Sequence, residues 1–259
     1  MSYPPDVAPL IEALVEAIRA ALRETFVGAC VTGSLALGGF DDKSDVDIVV
    51  ATARPVSDAE LAALKAIHDR VPPKRNEFGR EYEVFYIDVE TLRRWAPGQR
   101  HLRAEPTQPF QWETHRANFV LERWLLRERA ITLAGPDPGS LVDAVSPDEM
   151  REAARREVLV RLDEWAGGQA MPSWLGHAGA QGYEIETMCR ALYTIETGEI
   201  CSKKAAVGWA LEVLPEEWRD LIAWAWRHHK DDATHDTSRL PEAIAFVRYA
   251  AERATMSAE

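Results

Sequence analysis

The chain has few cysteines, no long apolar run and a shortage of positive charge, and each shortage excludes something. None of its apolar stretches approaches the roughly 20 residues that span a bilayer, so no membrane partner is expected. The stretch Met1-Ser2-Tyr3-Pro4-Pro5-Asp6-Val7 carries neither the basic nor the apolar region of a signal peptide. Cys30, Cys189 and Cys201 are odd in number, widely spaced and free of any Cys-x-x-Cys pair. They read as reduced, buried thiols, and the expected location is cytoplasmic. Lys and Arg total 30 against 42 Asp and Glu, a formal net charge of −12. Nucleic-acid binding depends on basic surface, so no nucleic-acid partner is expected. The acidity favours a cationic or neutral small-molecule substrate, and a triphosphate would need a local basic pocket plus a metal. No repeat or low-complexity tract is present. What remains is ordinary: 259 residues, 46% hydrophobic and 28% charged, enough for two modest domains.

The most informative stretch runs from Thr32 to Val50. Gly33-Ser34 follows the apolar run Phe26 to Val31 and precedes Leu35-Ala36-Leu37, a strand giving way to a short helix. Glycine there lets backbone approach a phosphate, and serine adds a hydroxyl beside the amides of the helix start. Ten residues on, Ser44-Asp45-Val46-Asp47-Ile48-Val49-Val50 opens a second strand. The period of two puts Asp45 and Asp47 on one face and Val46, Ile48 and Val50 on the other. Two carboxylates side by side repel unless a cation separates them, and a hard divalent ion that also bridges triphosphate oxygens suits the place.

Residues 7 to 24 show a helical period, and Ser57-Asp58-Ala59-Glu60 predicts a capped helix through Val71, ended by Pro72-Pro73. Tyr82 to Ile87 reads as the next strand, with Glu83 and Phe85 on one face and Val84 on the other. Apolar neighbours should hold the Glu83 carboxylate partly dry and raise its proton affinity toward that of a useful base. Glu81 and Asp88 are its competitors. Residues 96 to 112, with Pro97, Pro106 and Pro109, read as a loop leading to Trp112-Glu113. A helix from His115 to Arg129 and a strand from Ile131 to Leu133 close the first domain, and Gly135 to Ser140 has the composition of a linker. Everything after it reads as helices. One runs from about Ser146 to Trp165, broken at Gly167-Gly168 and Met171-Pro172-Ser173. The next, about Gln181 to Ile195, carries Tyr183, Glu186, Thr187 and Arg190 on one face and stops at Thr197-Gly198. Ser202 caps another through Leu214, in which Lys203 and Lys204 sit in a first turn unfavourable for cations unless an anion docks there. Two further helices, near 215 to 230 and 239 to 255, look structural. His228 and His229 point about 100° apart on a helix and make a poor metal pair.

Gly-Ser, a short helix and then Ser-Asp-x-Asp resembles the nucleotidyltransferase superfamily that includes DNA polymerase beta and the antibiotic adenylyltransferases. The spacing onward through Tyr82-Glu83-Val84, Phe110 to Trp112 and Gly135-Pro136 is similar to aminoglycoside adenylyltransferases that modify streptomycin and spectinomycin. So is the block from Arg190 through Thr197-Gly198, Ile200, Lys203 and Trp209-Ala210. The resemblance implies an α+β, two-domain fold. Residues 1–142 would be a polymerase-beta-like nucleotidyltransferase domain, a mixed sheet with flanking helices. Residues 143–259 would be an α-helical bundle.

The resemblance also implies roles. ATP and Mg2+ would be required, with Asp45 and Asp47 on the metal and Gly33, Ser34 and Ser44 at the ATP phosphates. Arg190 and Lys203 would reach the triphosphate, and Glu83 would deprotonate a drug hydroxyl that attacks the alpha phosphorus. Drug contacts would fall to Trp112, Trp165, Ser173, Tyr183, Glu186 and Glu83, in a protein expected to be a monomer. The sequence departs from the family at one point: Ser173 stands where streptomycin-accepting members carry an aspartate after the tryptophan matched by Trp165. Losing a carboxylate partner of a cation costs roughly 2–5 kcal/mol of binding, which makes spectinomycin the safer expectation. The alternatives are a nucleotidyltransferase acting on a protein, RNA or metabolite acceptor, and a non-catalytic nucleotide-binding regulator. Acidity disfavours RNA, and a regulator has no need of Asp45, Asp47 and Glu83 together.

Overall fold

The computed structural model describes residues 7–41, 43–70, 81–105, 108–166, 173–231 and 233–256. Its contacts divide the chain into two units, Met1–Ala144 and Val145–Glu259. The first unit is built from α1 (Ala8–Leu22), β1 (Phe26–Val31), α2 (Gly33–Ala36), β2 (Val46–Thr52), α3 (Asp58–His68), β3 (Tyr82–Asp88), α4 (Val89–Arg93), β4 (Arg100–Glu105), β5 (Gln108–Thr114), α5 (Phe119–Glu128) and β6 (Ile131–Ala134). The six strands form one mixed sheet in the order β5-β4-β3-β2-β1-β6. Only β2 and β3 pair in parallel; the other neighbours are antiparallel.

Each face of the sheet has its own core. On one side Val46, Ile48 and Val50 of β2, with Tyr82, Val84 and Tyr86 of β3, pack against Leu10, Ile11, Leu14 and Ile18 of α1 and Leu64 of α3. Residues 10, 11, 14 and 18 follow the helical period, which is why one stripe of α1 can bury whole. Each such side chain contributes about 1.5–3 kcal/mol of transfer free energy, before ordering entropy is subtracted. On the other side Val49, Ala51 and Ile87 meet Leu92 of α4 and Phe119 and Leu126 of α5. Asp47 and Glu83 extend that second face beyond the end of its apolar patch.

Three expectations are corrected. The stretch 96–112 is no loop: most of it forms the hairpin β4–β5, with Arg103 opposite Gln111 and His101 opposite Glu113. Pro97, Pro106 and Pro109 among many polar residues give the stretch the composition of a loop, and Pro109 is tolerated because β5 lies at the sheet edge. The helix expected from His115 begins at Phe119, and the His115 ring stacks on Phe119 at 3.6 Å between centroids. Gly135 to Ser140 is no linker either. Gly135 has φ +84, and a Cβ on it would lie 2.3 Å from the Val27 carbonyl oxygen. Arg127 binds the Gly139 carbonyl at 2.8 Å, so this turn is packed against the sheet and α5. Val71 and Pro72-Pro73, expected at and after the end of α3, lie outside the described residues, as do Gly167-Gly168 and Met171-Pro172.

The second unit is helical throughout: α6 (Pro147–Ala166), α7 (Ala178–Thr197), α8 (Lys203–Val213), α9 (Arg219–Arg227) and α10 (Leu240–Met256). Helix α7 is its axis and packs against α6, α8, α9 and α10. Gly198 ends it in the left-handed region, its amide bonded to the Thr194 carbonyl at 2.8 Å. No described helix is long and apolar enough to cross a membrane.

Candidate active site

The acidic groups gather where β1 hands over to α2 beside the start of β2. The Thr32 amide donates to the Asp47 carbonyl at 2.9 Å, which ties the end of β1 to β2. Gly33 follows at φ +64, and a Cβ on it would lie 1.7 Å from Asp47 Oδ2. Only glycine fits, on two independent grounds: the backbone is left-handed, and the carboxylate fills the space. Ser34 Oγ and Thr32 Oγ1 are buried here without a hydrogen-bond partner among the described residues. Unpaired hydroxyls beside a helix start suit an incoming anion.

Asp47 stands abreast of Glu83 in the parallel ladder. The Glu83 side chain is about one-fifth exposed, at 21%. Burial pushes its proton affinity above the ordinary carboxylate range; Arg103 opposes this, while Asp45 and Glu105 add to it. The competing acids are elsewhere engaged or positioned: Asp88 caps α4 by accepting from the Thr91 amide at 3.0 Å, and Glu81 is exposed before β3 begins. Among the described residues no group of three His, Cys, Asp or Glu side chains forms a protein-only metal cage. Magnesium is ordinarily held by one or two carboxylates, with water and phosphate oxygens completing the shell, and Asp45 and Asp47 offer that donor set.

Sequence reasoning missed Arg103. It lies opposite Phe85 across β3–β4 and reaches along the Glu83 face. Its Nη2 donates to Glu83 Oε1 at 2.6 Å and Glu105 Oε2 at 3.0 Å, and its Nη1 donates to Glu113 Oε1 at 3.1 Å. Burial opposes its charge, but Glu83, Glu113 and Glu105 outweigh that and hold it protonated. The available signal was the alternation of charge along 100–105.

Other expected residues are placed differently. Ser44 Oγ donates to Asp41 Oδ1 at 2.8 Å and accepts from the Asp41 amide at 3.1 Å. That hydroxyl closes the loop before β2. Trp112 pairs with Leu102, which puts it on the sheet face of Tyr86 and not that of Glu83. Its ring is exposed, with the Arg100 guanidinium 5.6 Å above it. Glu113, its neighbour, is the residue that joins Glu83.

In the helical unit Tyr183 is exposed, with Lys203 Nζ 4.3 Å from its ring centre. Arg190 lies near enough for its charge to act on both Tyr183 and Cys201, so the two predicted cations share one region. Ser202 caps α8 as expected, accepting from the Ala205 amide at 3.3 Å. Two residues expected as drug contacts are buried. Trp165 is buried, and Glu186 is fully enclosed with its carboxylate 2.9 Å from His229 Nδ1. A carboxylate on a helix buried nearly all round finds a core partner. The Ser173 side chain lies outside the described residues, while Trp174 beside it is an exposed aromatic that the sequence reading passed over.

Residues 15–95 match the family described as the nucleotidyltransferase domain, so the first unit, with its Asp-x-Asp strand, defines the chain as a nucleotidyltransferase. Residues 140–253 match the C-terminal domain of aminoglycoside adenylyltransferases. Along both units the chain is thus similar to aminoglycoside adenylyltransferases. It is 24% identical over 254 residues to an aminoglycoside (3'') (9) adenylyltransferase of Shigella flexneri, covering 94% of this chain and 93% of that one. It is 26% identical over 239 residues to a spectinomycin 9-adenylyltransferase of Staphylococcus aureus, covering 87% and 86%. A spectinomycin adenyltransferase from Enterococcus faecialis, solved with ATP and spectinomycin, shares the fold at TM-score 0.73 and 18% identity, over 95% of this chain and 98% of that one.

Proposed function

We propose that the protein transfers AMP from ATP to a hydroxyl of an aminocyclitol or aminoglycoside antibiotic, with spectinomycin the favoured acceptor, releasing pyrophosphate and conferring resistance. One observation carries the reading: Gly33 leaves room for Asp47 alone, and Asp47 stands abreast of Glu83. Ser34 Oγ is the proposed donor to a phosphate oxygen, and Arg190 and Lys203 are the proposed phosphate cations of the helical unit. Asp45 and Asp47 would hold magnesium, which neutralises phosphate charge when bound. Glu83, with its raised proton affinity, would accept the proton of the attacking hydroxyl. The relatives named for spectinomycin, one solved with ATP and spectinomycin, support the nucleotide and the acceptor. The net charge of −12 fits a cationic acceptor.

Pyrophosphate release with ATP and magnesium, measured against spectinomycin, streptomycin and unrelated aminoglycosides, tests this. Release should depend on spectinomycin and fall by about 10²–10⁴-fold in Glu83→Gln. Expression in a susceptible bacterium should raise its spectinomycin tolerance. Streptomycin should be the poorer acceptor, improved by Ser173→Asp. Tight ATP binding with no release for any drug would sink the resistance reading and redirect the search to protein or metabolite acceptors.

A further inference from the structure

We propose that Arg103 is a positioning residue for Glu83, a fixed strut that holds the carboxylate in its working orientation. The inference rests on the reading of Glu83 as the base. Arg103 Nη2 holds Glu83 Oε1 at 2.6 Å, while Glu83 Oε2 has no hydrogen bond among the described residues. One oxygen is thereby anchored, in a side chain that is 21% exposed. A base acts only within hydrogen-bond reach of the proton it takes, and a glutamate has three rotatable bonds to restrain before it meets that condition.

The strut is itself held from three sides. Glu105 of β4 accepts from the same nitrogen at 3.0 Å, and Glu113 of β5 accepts from Nη1 at 3.1 Å. The guanidinium carbon lies 6.0 Å from the Phe85 ring centre. Glu113 in turn lies 3.6 Å from Nε2 of the buried His101. A single carboxylate would neutralise Arg103. Three around one guanidinium, with Asp45 near enough to act on Glu83, leave negative charges opposed to one another. A stability rationale does not favour that arrangement, and such local conflict is characteristic of functional sites. A planar fork also fixes direction in a way an ammonium does not.

Steady-state kinetics of the full chain with ATP, magnesium and spectinomycin, alongside melting temperatures, test the inference in Arg103→Met, Arg103→Lys, Glu83→Gln and Arg54→Met. Arg103→Met should lower kcat by about 10- to 100-fold, the cost of a misplaced reacting group, with both KM values within about threefold of wild type. Arg103→Lys, which keeps the charge without the fork, should fold normally and lie between the two in kcat. Arg54→Met removes an ion pair with Glu60 of 2.9 Å beyond the far end of β2 and should leave kcat within about twofold. Wild-type kcat in Arg103→Met or in a folded Arg103→Lys overturns the inference, as does a loss confined to KM. If wild type itself shows no drug-dependent release, or Glu83→Gln matches it, the functional reading fails instead.

Discussion

At the scale of single residues, Gly33 and Asp47 occupy one shared space. Gly33→Ala places a methyl carbon 1.7 Å from Asp47 Oδ2 and asks an L-residue to hold φ +64. The backbone term costs about 1–2 kcal/mol, while the carboxylate must leave its place. The expected outcome is a folded protein, lower in melting temperature by several degrees, with pyrophosphate release reduced by about 100-fold or more. Retained activity would show that Asp47 works from another rotamer. Asp45, Asp47 and Glu83 were legible because strand alternation is local, so neighbours one and two positions away decide the face. The burial of Trp165 and Glu186 was not legible, because helix burial depends on how many sides are covered. For α7 four other helices pack against it.

At the scale of elements, α3 shows how fully a local signal can be met. Ser57 Oγ accepts from the Glu60 amide, and the Glu60 carboxylate accepts from the Ser57 amide at 2.8 Å, closing a reciprocal cap. Ser57→Ala should cost about 1 kcal/mol of stability, read as a lower denaturation midpoint with unchanged kcat; no shift would mean Glu60 holds the helix start alone. The hairpin β4–β5 is the opposite case. Its strands carry Arg100, Arg103, Glu105 and Glu113, charges that belong to exposed loops unless something pairs them. What pairs them is the other strand and β3. Arg103 meets Glu83 from 20 positions away, and no window of sequence contains both the cause and the partner.

At the scale of the whole molecule, the first unit encloses histidines with no charge to spare. Burial lowers His68 to about 4, His101 to about 4 and His115 to about 3. His68 sits between Tyr82 Oη at 3.2 Å and Tyr86 Oη at 2.7 Å. An unfolded histidine takes up its proton near pH 6.5, but these wait for a much lower pH while folded. Their contribution is whole above pH 6.5 and is lost as pH falls from there through about 4 and, for His115, about 3. Denaturation midpoints at pH 7.5, 6 and 5 should therefore decline steadily, and His68→Phe should flatten the decline; a midpoint constant down to pH 5 would contradict this. The sequence by itself determined the α+β pairing of a sheet domain with a helical one, the helix caps and the Gly-Ser and Asp-x-Asp corner, all of which rest on contacts within a few residues. Tertiary structure decided which charges share a neighbourhood: Arg103 on Glu83, His229 on Glu186, Trp112 on the face away from Glu83. Those outcomes follow from strand register and helix packing, which bring together groups that the chain keeps far apart.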